Sequence, residues 1–214
     1  RCKIVGEGGN LGLTQFGRIE FALRGGRLNT DFIDNSGGVD CSDHEVNMKI
    51  LLNQAVAMGD LTDKQRNIML EEMTDDVASL VLKNNYRQTQ AISIASVGAI
   101  TRLEEYRRLM NTMESEGKLN RSLEFLPDDE TLSERKLDKK GLTRPELSVL
   151  ISYVKGDLKQ TLIDSSLPDE PLLAGEMYKV FPQDLTRKFS KELGEHQLRR
   201  EIIATQIAND MVNH

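Results

Sequence analysis

Nine of the 16 glycines in this 214-residue chain fall between Gly6 and Gly38. No other feature constrains the fold as much, because glycine weakens helix and strand interiors and is favoured where a backbone turns sharply. The first third therefore reads as short elements joined by tight turns. A strand-like run over 2–5 leads to a turn at 6–10. A helix follows from about Leu13 to Arg24, stopped by Gly25 and Gly26. A second strand over 28–33 runs into the polar stretch DNSGGVDCSDHE, where a loop gives way to a helix opened by SDHE and ended near Met58, with Gly59 beyond it. Strand, helix, strand, helix with connections this short predicts a βαβ unit whose two strands are parallel and adjacent.

The remaining two thirds read as helices alone. Capping-box spacing occurs at Thr62–Gln65, Thr131–Glu134 and Thr143–Glu146. Leu147, Leu150, Ile151, Val154, Leu158 and Leu162 recur at three- and four-residue steps, and Leu198, Ile202, Ile203, Ile207 and Met211 repeat that pattern near the end. Over about 86–113, Ala91, Ala95, Gly98 and Ala99 provide small residues for close helix approach. The polar piece over 117–140, which holds Pro127, reads as an exposed connector. The expected fold is thus mainly α with a short α/β N-terminal part, and its division falls at about residue 60, into 1–60 and 61–214. Because the chain opens almost directly on a strand, without an initiator Met, it is expected to be a piece of a longer protein.

Charge removes several function classes. With 28 basic and 34 acidic residues the net charge is −6, and no basic run could track a phosphate backbone, so neither nucleic acid nor an anionic membrane is an expected partner. No apolar stretch reaches the roughly 20 residues that span a bilayer. Cys2 and Cys41 lack metal-ligand spacing and read as thiols of a reducing cytoplasm. No metal site is expected, and no Ser-His-Asp or Cys-His set can be assembled. His44 lacks a metal partner, while His196 and His214 are expected at the surface.

Two stretches can contact a ligand, GEGGN with Asn10 and DNSGG with Asn35. In a parallel α/β sheet both would lie at the carboxyl edge of the strands, where ligands bind. Glycines admit close backbone approach, and a carboxamide offers both a donor and an acceptor. The competing reading is that the glycines and asparagines only build turns. Ser42, at an expected helix start, could hold a carboxylate, or it could cap the helix through its spacing to Glu45.

At these residues the sequence resembles a family. KIVGEGGN followed by GGRLNTDFIDNSGGVDCSDHE is similar to the closing part of the nucleotide-binding domain of glutamate dehydrogenases. LTQFGRIEFALRGG, CSDHEVNMKILLN, LTRPELSVLISYVK and HQLRREIIATQIAN are similar to the C-terminal region of the large bacterial NAD-specific members. The resemblance implies a partial Rossmann-like βαβ unit over 1–60, followed by a helical C-terminal domain. It implies NAD as cofactor, with Gly8, Asn10 and Asn35 on its nicotinamide side, and L-glutamate/2-oxoglutarate as substrate pair, with Val39 and Ser42 in contact. Gly9 and Ser36 stand where the small enzymes of the family carry alanine, and LGLTQ replaces their Gly-Pro-Thr-Thr. The dinucleotide fingerprint, the substrate-binding and catalytic lysines and the catalytic aspartate are expected upstream of this chain, so none of its residues is assigned a catalytic role. The full-length protein is expected to be a cytoplasmic homo-oligomer. The rival from another class is a non-catalytic helical interaction or assembly module, which would expose an apolar groove and be indifferent to nucleotides.

Overall fold

The computed structural model describes residues 2–213. In chain order its α-helices are α1 (Gln15–Leu23), α2 (Asp31–Asp34), α3 (Ser36–Met58), α4 (Asp63–Glu72), α5 (Thr74–Val97), α6 (Leu103–Ser115), α7 (Asp129–Leu137), α8 (Arg144–Asp164), α9 (Gly175–Tyr178), α10 (Gln183–Lys188), α11 (Ser190–Gly194) and α12 (Arg199–Val212). The chain forms two compact units. One contains the residues up to Asn35 together with Arg87–Asp157, and the other contains Ser36–Tyr86 together with Leu158–Val212. None of the described helices is long and apolar enough to cross a membrane.

In the first unit, α1 forms as its sequence predicts. Thr14 caps it by accepting from the Gly17 N–H, and Gly25 follows its end at φ 88°. The expected βαβ unit does not form. Among the described residues its two strands are reduced to one isolated parallel bridge, Ile4 to Arg27. Val5 N donates to Arg27 O at 2.9 Å, and Arg27 N donates to Lys3 O at 2.9 Å. The sense of pairing is parallel as expected, but it extends no further. The reason lies in the next residues. Asp34 N bonds back to Thr30 O, and Asn35 N to Asp31 O at 2.9 Å, which curls 31–34 into the single turn of α2.

The core of this unit is built from α6, α7, the start of α8 and the segments between them. Leu103, Met110, Leu132 and Leu147 are almost fully buried. Each such side chain contributes roughly 1.5–3 kcal/mol of transfer free energy. The 117–140 piece is therefore not an exposed connector, because Leu119, Leu126 and Leu132 all enter this core. Helix α7 begins one turn earlier than Thr131, with Asp128 as the cap accepting from Thr131 N at 2.8 Å. The chain breaks between α5 and α6, where Gly141 sits against the backbone of Ala99. A Cβ at Gly141 would lie 2.5 Å from the Ala99 carbonyl carbon, so only glycine fits.

In the second unit, the Thr62–Gln65 capping box is complete, and Gly59 follows α3 at φ 84°. Leu51, Leu52, Leu185, Leu193 and Ile203 form the centre of the core. Most of the stretch expected to be a loop, 36–41, is instead the beginning of α3, which starts at Ser36. Tertiary contact overrides the low helix propensity of Gly37 and Gly38. A Cβ at Gly37 would meet Val81 and Asn85 of α5 at 3.7 Å, and Ser36 Oγ bonds Asn85 Oδ1 at 2.5 Å.

His196 is not at the surface. It is 3 % exposed, packs edge-on to Phe181, and bonds Asn47 O at 3.1 Å through Nε2 while Nδ1 accepts from Leu198 N at 3.1 Å. His44 is also buried, with Nδ1 bonded to Val180 O at 2.8 Å. His214 lies outside the described residues. Burial holds the His196 imidazole below its usual range. The folded state then takes up a proton less readily than the unfolded chain, so stability is full above the unfolded value of about 6.5 and falls as pH drops below it. Melting temperature should decline between about pH 7.5 and 5, and His196→Gln should flatten that decline. An unchanged slope in the variant would assign the decline to other groups.

Candidate functional site

The residues 6–14 form an irregular segment ahead of α1, and a buried ionic cluster holds it in place. Arg18 projects from α1 with its side chain 5 % exposed. Its Nε donates to Glu7 Oε2 at 2.6 Å and its Nη2 to Glu7 Oε1 at 2.9 Å. The same Nη2 lies 3.3 Å from Asp31 Oδ1. Each carboxylate also receives main-chain donors. Leu13 N donates to Glu7 Oε1 at 2.8 Å, Leu11 N to Asp31 Oδ2 at 2.8 Å, and Phe32 N to Asp31 Oδ1 at 2.9 Å. Burial pushes the Asp31 carboxyl up, but the Leu11 and Phe32 amides and the Arg18 charge outweigh it and hold the group below its usual range. The hydrogen bond to Glu7, opposed by burial, raises the Arg18 guanidinium further above its already high value.

Around this cluster the backbone is fastened at two more points. Glu7 N donates to Asp34 Oδ2 at 3.1 Å, and Asn29 Nδ2 donates to Asp34 Oδ1 at 2.8 Å. Arg144, at the start of α8, then donates to Asn29 Oδ1 at 3.0 Å. Asn10 projects from the segment held in this way, and Asn35 caps the end of α2. Their side chains meet, with Asn35 Nδ2 donating to Asn10 Oδ1. That bond uses one donor and one acceptor of the pair, leaving the Asn10 amide N–H groups and the Asn35 carbonyl for a third partner. A Cβ added at Gly8 or Gly9 would meet nothing within 4 Å, so the backbone beside Asn10 is open to close approach.

Val39 and Ser42 belong to the second unit and lie in the first two turns of α3. Both are exposed, Val39 at 64 %. Ser42 is not a helix cap, because α3 starts six residues before it. Its Oγ donates to Val39 O at 2.7 Å, the back-bond of a serine inside a helix. Contacts thus join Asn10 to Asn35 and Val39 to Ser42. No local sequence pattern marks the Glu7–Arg18–Asp31 cluster, yet it leaves a trace in the sequence. Arg18 stands beside Ile19 on the apolar face of α1, between acidic residues in the segments flanking that helix.

Among the described residues, no group of three or more His, Cys, Asp or Glu side chains is placed to hold a metal. A hollow of about 400 Å³ beside α7 is lined by Glu114, Arg121 and Asp128 and contains none of these site residues. Its arginine is already committed to Pro127 O, Asn111 and Asp129. Cys2 and Cys41 are free, exposed thiols.

The Asn10–Asn35 pair can meet a ligand that itself carries both a hydrogen-bond donor and an acceptor. Residues 1–95 match the family described as bacterial NAD-glutamate dehydrogenase, catalytic domain. Residues 139–214 match the family described as glutamate dehydrogenase, C-terminal. An NAD-specific glutamate dehydrogenase of Pseudomonas aeruginosa is 60% identical over 214 residues, the whole of this chain. Proteins of the same name from Halomonas elongata and Mycobacterium tuberculosis are 55% and 44% identical over 213 residues. The chain spans 13% of the length of each of these relatives.

Proposed function

The chain belongs to the family of bacterial NAD-specific glutamate dehydrogenases, and on that premise we propose that it acts within a longer enzyme of that activity. The reaction is L-glutamate, NAD+ and water to 2-oxoglutarate, ammonium, NADH and a proton. The observation that carries the reading is the contact between Asn10 and Asn35. Together their side chains present N–H donors and a carbonyl acceptor, the complement of the nicotinamide carboxamide. Gly8 leaves the adjoining backbone accessible. When bound, NAD supplies the hydride acceptor; the protein's part is to hold the reacting groups in register.

Val39 and Ser42 are assigned to glutamate. Val39 offers an exposed apolar surface, and Ser42 a hydroxyl for the side-chain carboxylate. To donate to that carboxylate, the hydroxyl turns away from the Val39 carbonyl. The lysine and aspartate that transfer protons in the family are assigned to parts of the polypeptide outside these 214 residues. Residues 1–60 are taken as the closing part of the dinucleotide-binding domain and 61–214 as the helical C-terminal domain. The longer protein is assigned to the cytoplasm, which the exposed thiols support, and to a homo-oligomer.

The test is glutamate-dependent NADH formation, followed by absorbance. The full-length protein should reduce NAD only when L-glutamate is present, while these 214 residues alone should not. General acid–base help is worth about 10²–10⁴-fold, and the groups proposed to give it lie elsewhere. A full-length protein that fails to reduce NAD with glutamate would defeat the reading, and turnover by the isolated chain would show that catalytic groups lie within it.

A further inference from the structure

We propose that the buried Glu7–Arg18–Asp31 cluster is a positioning device for the cofactor contact, fixing the Asn10 carboxamide in register with that of Asn35. The inference rests on the reading of those two asparagines as nicotinamide contacts and adds three residues to it. Asp31 is the hinge of the argument because it holds both sides of the pair. Its side chain accepts from the N–H of Leu11, the residue after Asn10, while its main-chain carbonyl accepts from the N–H of Asn35 itself. Movement of Asp31 therefore shifts one carboxamide against the other.

Arg18 fixes Asp31 in turn and locks it to Glu7, which grips the same segment two residues further on through Leu13 N. Between these anchors lies Gly12, where a Cβ would stand 3.0 Å from Glu7 Oε1. Leu11 is left at φ 58° and 83 % exposed. A leucine in the left-handed region is strained, and here it gains little burial in return. The surroundings over-determine that conformation, as they do at ligand clamps. All three charged residues are more than nine-tenths buried, whereas the Asn10 they support is exposed. A segment needed only to cover a core could use apolar residues, which are often as stable as a buried ion pair or more so.

The experiment uses the full-length enzyme with Asp31→Asn, Arg18→Lys and Asn10→Ala, each checked for folding by circular dichroism and thermal melting. Asp31→Asn preserves size and one acceptor, and it serves as the decisive variant if Arg18→Lys does not fold. Folded Asp31→Asn should raise KM for NAD about tenfold, with kcat and KM for glutamate changed less than about threefold. Combined with Asn10→Ala, it should add little further, because the group it positions is already gone. A purely structural role would lower the melting temperature and leave KM for NAD unchanged. If Asn10→Ala raises KM for NAD while Asp31→Asn does not, the positioning role is overturned and the cofactor reading stands. If Asn10→Ala leaves KM for NAD unchanged, both fall.

Discussion

Replacing Glu146 by alanine should cost about 3–5 kcal/mol of stability, the range for breaking a buried ion pair by removing one partner. Glu146 is completely buried near the start of α8. Its two oxygens accept from the two Nη groups of Arg135, each at 2.8 Å, in a forked pair. The same carboxylate reaches back to the start of its helix, accepting from Thr143 N at 2.6 Å and Thr143 Oγ1 at 2.7 Å. One residue thus neutralises the arginine of α7 and satisfies the first free amide of α8. Alanine leaves Arg135, with a side chain only 11 % exposed, without its counter-charge. Glu146→Gln should cost less, since it retains an acceptor and loses only the charge. By contrast, breaking the exposed Lys118–Glu116 pair should be nearly silent. Chemical denaturation of the three variants checks the order. A Glu146→Ala cost near that of the exposed pair would show that water screens the buried one.

Several elements were legible because their causes are local. Thr14 and Gly25 bracket α1, Thr62 and Gln65 cap α4, and the apolar spacing after Thr143 marks α8. Where reading failed, a distant residue decided. The apolar spacing of 28–33 suggests a strand, but Asp31 spends its carboxylate on an amide 20 residues away and its carbonyl on Asn35, and the chain curls. Gly37 and Gly38 suggest a turn, but both lie inside α3, where Gly37 faces Val81 and Asn85 of α5. With α3 starting at Ser36, Ser42 lies in the helix interior rather than at its cap. The sequence around His196 suggests a surface position, because nothing near it reveals Asn47 and Phe181 as neighbours.

The candidate site divides along the same line. Asn10 and Asn35 could be named from their type and setting. Their contact could not, because it depends on Glu7, Arg18 and Asp31 holding an irregular segment against α2. Spacing also failed at α7. There Asp128 caps the helix three residues before the Thr131 that the pattern selects. Cap signals identify a helix start only when no better acceptor lies just upstream.

The cofactor assignment predicts the second large effect. Asn10→Ala and Asn35→Ala each remove half of a joined donor–acceptor pair, and each leaves a partner of the nicotinamide carboxamide unmatched. Sites built to hydrogen-bond a polar group lose far more from such a mismatch than apolar contacts lose from a missing methylene. Either substitution should raise KM for NAD by about 10–100-fold. The two should not be independent, because each asparagine orients the other. The direct measurement is a double-mutant cycle in the full-length enzyme, with KM for NAD determined at saturating glutamate. The double variant should be little worse than the weaker-binding single variant, giving a coupling of about 1 kcal/mol or more between the asparagines. Single variants with wild-type KM for NAD, or effects that simply add, would contradict the claim that these two carboxamides act as one nicotinamide contact.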